Sequence, residues 1–183
     1  TTIFEREEKL GGVPRYVIPA FRISDEALDK DVALMERLGV EVKCGAPAPS
    51  VAELKKMGYT HILLATGAWQ AGELGIPGNV KGVIGWMKEM KQQVKPCLEG
   101  HVVVVGAGNT AMDAARVAKR MGAASSTIVY RRTKKEMPAD EHELKLAIDE
   151  GVNLVELAAP VEQKDGKLVC SKMKLGEPDA SGR

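Results

Sequence analysis

The strongest constraint on this chain is an apolar strand pattern that runs directly into a glycine-rich turn. Four valines at 102–105 precede Gly106, and apolar residues then recur at helical spacing over 109–121. A strand without polar alternation is typical of the centre of a parallel sheet that helices cover on both faces. The stretch therefore predicts a strand–turn–helix unit of an α/β fold.

Each fixed position of the turn, which reads G-x-G-x-x-A, has a physical role. Gly106 permits a tight turn, Gly108 leaves room for a pyrophosphate beside the backbone, and Ala111 keeps the helix close to the strand. The N–H groups of residues 108–110 and the helix dipole would then attract phosphates. A glycine turn without a ligand is the alternative. The segment predicted to bind a dinucleotide comprises Gly106, Ala107, Gly108, Asn109, Thr110 and Ala111.

The end of the next predicted strand indicates which dinucleotide such a turn prefers. An acidic residue about 20 residues after the turn would bind the ribose 2′-hydroxyl of NAD. This sequence has Arg131 and Arg132 there instead, followed by Lys134 and Lys135. Two guanidiniums can hold a 2′-phosphate through charge-assisted hydrogen bonds, so the pair favours NADP over NAD. A solvated basic turn is the alternative interpretation.

Strand and helix patterns also alternate outside this unit. Strand patterns occur at 1–5, 40–44, 60–67, 126–132 and 152–157, and 161–175 reads as two strands joined by an Asp-Gly turn. Helix patterns occur at 24–39, 50–58, 85–95 and 140–151. Residues 13–23 read as irregular, because Pro14 and Pro19 oppose a regular helix. The alternation predicts a Rossmann-like α/β fold with a mainly parallel sheet and helices on both of its faces.

Composition and charge exclude several classes of function. The chain has 183 residues, of which 44% are apolar and 28% charged, and its net charge is +1. Such a chain can bury a core, but it has no overall field that would attract nucleic acid or an acidic membrane surface. No apolar run is long enough to span a bilayer and no signal peptide is recognisable, so we expect a cytoplasmic protein.

The cysteines and histidines form no catalytic or metal-binding pattern. They are scattered along the chain without a C-x-x-C pair, as Cys44, Cys97 and Cys170, and as His61, His101 and His142. We therefore expect three free, mostly buried thiols and structural or exposed histidines. We predict no metal site and name no catalytic residue.

Four motifs, in order along the chain, resemble those of one enzyme family. They are the pattern E-x-x-x-x-L-G-G-x-x-R-Y-x-I-P-x-F-R from Glu5 to Arg22, then LLATGA, VVVVGAGNTAMDAAR and VYRRTKKEMPA. Together they resemble the small, beta subunit of NADPH-dependent glutamate synthase. More broadly, they are similar to flavin oxidoreductases that include the electron-input region of dihydropyrimidine dehydrogenase. The resemblance covers essentially the whole chain.

The resemblance implies two cofactors and a partner. In that family an NADPH domain is inserted into an FAD domain. NADPH passes a hydride to FAD, and the electrons continue through iron–sulfur clusters to a partner subunit or domain. The resemblance assigns NADPH to the glycine turn with Arg131 and Arg132. It assigns FAD contacts to three segments. Glu5 resembles the acid that binds the adenosine ribose, and Gly11 and Gly12 resemble the glycine pair along the flavin. Ala65, Thr66 and Gly67 resemble a second FAD-contacting turn.

The sequence also departs from the family pattern. The first strand and glycine turn of the FAD domain would lie about 20–30 residues before Glu5. They are absent from this sequence, as are the family's cysteine-rich N-terminal region and its C-terminal return to the FAD domain. Both ends read as cut, so we expect a fragment. We expect 1–97 to be a partial FAD-binding segment and 98–183 an NADPH-binding domain with a C-terminal hairpin.

The departures leave several interpretations open. Without its pyrophosphate cradle, FAD should not bind tightly to this chain, and the isolated chain should be inactive as an oxidoreductase. A non-catalytic nucleotide-binding or interaction module is one alternative, and an NAD-linked oxidoreductase is another. Exposed sheet edges could also pair between two copies, which would give a homodimer.

Overall fold

The computed structural model describes residues 1–70 and 72–177. The chain forms two compact units, Thr1–Gln70 and Ala71–Arg183. The first unit contains, in order, β1 (Thr2–Phe4), α1 (Gly12–Tyr16), α2 (Asp25–Arg37), β2 (Glu41–Lys43) and α3 (Val51–Lys56). The second contains α4 (Val83–Lys91), β3 (His101–Val105), α5 (Asn109–Arg120), β4 (Ser125–Val129), a 3₁₀ turn (Lys134–Glu136), α6 (Glu141–Asp149), β5 (Asn153–Val155), β6 (Ala158–Lys164) and β7 (Lys167–Lys172).

The first unit is built on a short parallel pair, in which β1 lies beside β2. The helix predicted over 24–39 is confirmed as α2. The Ser24 hydroxyl caps its start by accepting a hydrogen bond from the N–H of Ala27 at 3.2 Å. Gly39 follows the end of α2 with φ +84°, a conformation that glycine adopts without steric cost. Ser50 and Glu53 form a reciprocal capping box at the start of α3.

Two predictions for the first unit are wrong. Residues 12–16 form the short helix α1 rather than an irregular segment, since Pro14 lies in its first turn, where a missing N–H costs nothing. Residues 61–67 form no strand, and Leu63 and Leu64 are 90% and 73% exposed. An apolar segment becomes a strand only beside a neighbour that satisfies its backbone groups. Within residues 1–70, only β1 and β2 form such a ladder.

The second unit carries the predicted parallel sheet, with strand order β3–β4–β5. Its core lies between the sheet and helices α5 and α6, where Met112 and Ile128 are fully buried beside Ala115 and Ala147. The sequence pattern predicted that the valine strand, β3, lies at the centre of the sheet. This prediction is wrong, because β3 is an edge strand within the described residues. Its Val103 is 44% exposed, and the central strand is β4.

The C-terminal part of the described chain is the predicted hairpin. Strands β6 and β7 pair in antiparallel fashion through a turn at Asp165 and Gly166, whose φ angles are +49° and +72°. Two consecutive residues with positive φ are typical of the type I′ turn that suits the twist of a hairpin, which is why Asp-Gly predicts it.

The structure also tests two expectations drawn from composition. The three cysteines are free, as expected, but none is buried: Cys97 is exposed, and Cys44 and Cys170 are half-buried. Among the described helices, none has both the length and the apolar character that crossing a membrane requires.

Candidate functional site

The glycine turn forms at the carboxyl end of β3, where the sequence predicts it. Gly106 has φ +130°, which a side chain would strain, and its N–H donates to the carbonyl of Val129 at 3.1 Å. Helix α5 begins directly after Gly108, whose carbonyl accepts from the N–H groups of Ala111 and Met112. The strand–turn–helix context that the motif needs is therefore present.

The space beside Gly108 is open and lined with hydrogen-bond donors. A Cβ atom added to Gly108 would meet no atom within 4 Å. Across residues 1–70 and 72–177, the backbone N–H groups of Gly108, Asn109 and Thr110 have no hydrogen-bond acceptor. Unpartnered N–H groups at the positive end of a helix dipole fit a phosphate, so these residues suit a dinucleotide pyrophosphate.

Small side chains hold α5 close to the sheet. Ala111 is 8% exposed and packs in the core against Met112 and Ile128. A Cβ atom added to Gly106 would lie 3.9 Å from the Cβ of Ala111, so helix and turn are already in near contact. This is the close approach that the alanine of the motif predicts.

The predicted arginine pair follows the neighbouring strand, β4. Because β3 and β4 are parallel, their carboxyl ends share one edge of the sheet, and the arginines follow β4 at the edge where the glycine turn follows β3. The carbonyl of Arg132 accepts from the N–H of Leu157 at 3.1 Å, which fixes the backbone. Arg131 is exposed and Arg132 half-buried. In the described part of the chain neither guanidinium has a carboxylate partner, so their charge remains available to an anion.

The segment after the arginines, residues 131–140, is here called the basic loop. Near its start, the Tyr130 hydroxyl donates to the carbonyl of Glu136 at 2.8 Å. Thr133 and Glu136 cap the 3₁₀ turn reciprocally, with 3.0 Å from the Thr133 N–H to the Glu136 carboxylate. The pattern T-x-x-E could have revealed this capping box from sequence alone. The hydrogen bond from Thr133 also lowers the pKa of the Glu136 carboxyl.

The far end of the basic loop returns to the glycine turn. The N–H of Ala139 donates to the carbonyl of Ala107 at 3.0 Å, and the N–H of Asp140 donates to the Asn109 side-chain oxygen at 3.2 Å. The structure thus brings the dinucleotide turn and the segment bearing the arginines into direct contact. Sequence spacing gave no sign of this contact, since Asn109 and Asp140 lie 31 residues apart.

An ion-pair cluster anchors α5 to α6 behind the turn. Arg116 is 6% exposed and lies 2.7 Å from a carboxylate oxygen of Glu150, and Arg120 contacts the same carboxylate at 2.7 Å. Glu143 adds a second carboxylate, 3.6 Å from Arg116. Hydrogen bonds from Arg120 and then Arg116 lower the pKa of Glu150 to about 2. The cluster fixes the helix whose first turn forms the candidate phosphate site.

The residues with predicted FAD contacts lie in the first unit. Glu5 follows β1, its N–H donates to the carbonyl of Lys43 at 2.9 Å, and its carboxylate accepts from the N–H of Glu7 at 3.0 Å. Gly11 precedes α1 and Gly12 is its first residue. Their φ angles are +129° and +49°, so both need glycine's freedom. The third segment, residues 65–67, is exposed and follows no strand.

A buried arginine braces the first glycine pair. Arg15 is 5% exposed, and its guanidinium donates to the carbonyl of Leu10 and, at 2.7 Å, to the carboxylate of Asp29. A Cβ atom added to Gly11 would lie 2.8 Å from the Cβ of Arg15, which leaves no room for a side chain at Gly11. The sequence singled out this glycine pair but not the packing that requires it.

Comparisons with known proteins agree with the fold and the motifs. The family model for pyridine nucleotide-disulphide oxidoreductases matches residues 22–179. The chain is 38% identical to the NADPH-Fe(3+) oxidoreductase subunit beta of Geobacter sulfurreducens, over 94% of this chain and 28% of that protein. It is 32% identical to the glutamate synthase [NADPH] small chain of Halomonas elongata, over 99% of this chain and 43% of that protein. The resemblance to glutamate synthase small subunits is confirmed, and the chain spans less than half of either relative.

One solved structure shows the same fold. FprA from Mycobacterium tuberculosis, determined in complex with NADPH, superposes with a TM-score of 0.80 at 18% identity, over 100% of this chain and 58% of that one. At this identity the likeness concerns the fold alone. It confirms the predicted Rossmann-like α/β class.

Proposed function

This chain belongs to the pyridine nucleotide-disulphide oxidoreductase family, and on that premise we propose that it is the NADPH-binding module of an FAD-dependent oxidoreductase. The observation that carries the proposal is an open glycine turn and two arginines without carboxylate partners at one edge of the sheet. When bound, NADPH supplies a hydride, for which FAD in the longer protein is the proposed acceptor. We assign the NADPH-binding domain to residues 98–183.

The residues of this chain bind and orient the dinucleotide. The N–H groups of Gly108, Asn109 and Thr110 are the proposed contacts of the pyrophosphate, since they are unpartnered and lie at the start of α5. Arg131 and Arg132 are the proposed contacts of the 2′-phosphate, which forked guanidinium donors suit. Transfer of a hydride between two cofactors needs no acid or base from the protein, so we assign no side chain a chemical step.

The electron path beyond this chain is part of the same proposal. We propose that the electrons pass from FAD through iron–sulfur clusters to a larger subunit or domain, as in glutamate synthase. The similarity to a small chain of that enzyme over 99% of this chain supports a larger partner. We also propose a cytoplasmic setting, because all three cysteines are free, as is usual where cellular thiols are kept reduced.

We propose further that these 183 residues do not hold FAD tightly by themselves. Glu5 is held at the end of β1 and the pair Gly11–Gly12 has positive φ angles, but residues 65–67 are exposed and follow no strand. A turn that is not held by a sheet is poorly preorganised for a cofactor. The purified chain should therefore lack a stoichiometric flavin absorption band, and its presence would refute this part of the proposal.

Substitution of the arginine pair tests the proposed function. The double variant Arg131→Ala/Arg132→Ala should weaken NADPH binding by about 3 kcal/mol, or roughly 150-fold, because each charged hydrogen bond contributes about 1.5–3 kcal/mol. NADH, which lacks the 2′-phosphate, should bind as before. Calorimetric titration of both cofactors measures the two effects.

The matched control removes two positive charges elsewhere. Lys55 and Lys56 lie exposed on α3 in the other unit, which contributes none of the proposed NADPH contacts, so Lys55→Ala/Lys56→Ala changes the net charge equally. This control should leave both affinities unchanged. Unchanged NADPH affinity in the arginine variant, or an equal loss for NADH, would contradict the assignment.

A further inference from the structure

The basic loop carries more positive charge than its own carboxylates, Glu136 and Asp140, neutralise. Arg131, Arg132, Lys134 and Lys135 place four cationic side chains within five residues. In the described chain the side chains of Arg131, Arg132 and Lys134 have no carboxylate partner. Lys135 interacts electrostatically with the exposed carboxylate of Glu136. Mutual repulsion between like charges opposes a compact arrangement, so the loop depends on its other contacts to stay in place.

Backbone contacts and carboxylates hold the first part of this loop. The carbonyls of Tyr130 and Arg132 accept from Ala158 and Leu157, and a carboxylate oxygen of Glu156 accepts from the N–H of Lys134. These contacts fix residues 130–134 against the segment that follows β5. They do not reach the glycine turn.

The end of the loop is joined to the glycine turn by two hydrogen bonds. One is between backbones, from Ala139 to Ala107, and the other is from the N–H of Asp140 to the side-chain oxygen of Asn109. Asn109 is also the first residue of α5, so its backbone N–H belongs to the candidate pyrophosphate site. This single residue therefore belongs to the turn through its backbone and holds the basic loop through its side chain.

We propose that Asn109 is a positioning residue for 2′-phosphate selectivity: its side chain holds the basic loop over the glycine turn and so preorganises the two arginines. This inference rests on the proposed function. Loss of the Asn109–Asp140 bond leaves the Ala139–Ala107 bond as the only hydrogen bond between the described loop and the turn. The end of the loop is then held less firmly, which weakens only the interactions that the loop makes. The pyrophosphate contacts, which come from backbone N–H groups of α5, stay intact.

Two variants remove the same hydrogen bond from its two sides. Asn109→Ala deletes the acceptor and suits a helix start. Asp140→Pro deletes the donor N–H, and the φ of −61° at Asp140 already matches that of proline. The matched control is Asp140→Ala, because it loses the same side-chain cap of α6 at His142 but keeps the N–H.

The first readout is amide hydrogen exchange of the ligand-free, 183-residue chain. We expect Asn109→Ala to raise the exchange rate of the amides of residues 139 and 140, whereas Asp140→Ala leaves the amide of residue 139 protected. Unchanged exchange at both amides in Asn109→Ala would overturn the proposal, because the bond would then not hold the loop.

The second readout is the ratio of NADPH to NADH affinity by calorimetry. Asn109→Ala and Asp140→Pro should each lower the ratio about two- to twelvefold, the effect of one hydrogen bond, through NADPH alone. The double variant should be no worse than either single one, since both remove one interaction. Asp140→Ala should keep the ratio.

The remaining outcomes separate this proposal from the function on which it rests. If Asn109→Ala weakens NADPH and NADH equally, Asn109 acts on the part common to both cofactors, and the positioning role is overturned while NADPH binding stands. If the unmodified chain does not bind NADPH, the proposed function fails and the selectivity role fails with it, whatever the exchange rates show.

Discussion

At the scale of single residues, the two glycines of the turn have different physical requirements. Gly106 has φ +130°, so its backbone conformation is the constraint. Gly108 has φ −88°, which any residue adopts, so no constraint from the protein itself requires glycine there. The space beside it is open, and a ligand that needs this space gives the reason for glycine.

This difference predicts that alanine at Gly106 lowers stability, whereas alanine at Gly108 lowers the affinity for NADPH. Gly106→Ala should lower the free energy of unfolding by about 1–3 kcal/mol because of backbone strain. Gly108→Ala should change stability by less than about 0.5 kcal/mol but weaken NADPH binding at least about tenfold, because the new methyl group occupies the phosphate space. Urea unfolding and calorimetry measure the two quantities. NADPH binding to Gly108→Ala at the unmodified affinity would show that no phosphate approaches this backbone.

At the scale of elements, the ion-pair cluster between α5 and α6 links stability to pH. The hydrogen bonds from Arg120 and Arg116 lower the pKa of Glu150 from 4.5 to about 2 in the folded chain. Because the folded value lies below the unfolded one, protonation favours the unfolded state. The contribution of Glu150 to stability is therefore complete above about pH 4.5 and is lost as the pH falls toward about 2.

Removing the negative charge of Glu150 should reveal how much this carboxylate contributes to stability. Glu150→Gln removes the carboxylate that lies 2.7 Å from the buried guanidinium of Arg116, so unfolding near neutral pH should cost about 2 kcal/mol less. The variant should also lose less stability than the unmodified chain on acidification. Glu89→Gln is the control, since it removes an exposed ion pair between Glu89 on α4 and Lys81, which precedes that helix. Equal acid sensitivity of Glu150→Gln and the unmodified chain would refute the link.

Elements could be predicted from sequence where local chemistry decides them. Capping residues at Ser24 and Ser50 and the Asp-Gly turn fixed the positions of α2, α3 and the last hairpin, because these signals act within a few residues. Neighbours across the sheet could not be predicted. The valine run indicated a strand but not its place at the edge, and the apolar run at 60–67 indicated a strand that has no partner in the first unit.

In the candidate site, too, contacts between distant segments could not be predicted from sequence. The glycine turn and the arginine pair were predicted as residue types at a known spacing from a strand. Their connection through Asn109 and Asp140 was not, because it joins residues that only the β3–β4 pairing brings together. Contacts between distant segments follow from tertiary structure rather than from local pattern.

At the scale of the whole molecule, all the contacts proposed for NADPH lie in one unit. The glycine turn, the arginine pair and the bonds that join them fall within residues 106–158 of the unit Ala71–Arg183. The predicted FAD segments lie in the other unit. NADPH binding should therefore be a property of this chain by itself, without FAD.

Calorimetric titration of the unmodified 183-residue chain with NADPH and, separately, with NADH tests this claim most directly. We predict that NADPH binds at least about tenfold more tightly than NADH, since only NADPH offers a 2′-phosphate to the arginine pair. Equal affinities would contradict the assignment of Arg131 and Arg132. Absence of binding by either cofactor would contradict the claim that these residues form a complete dinucleotide site.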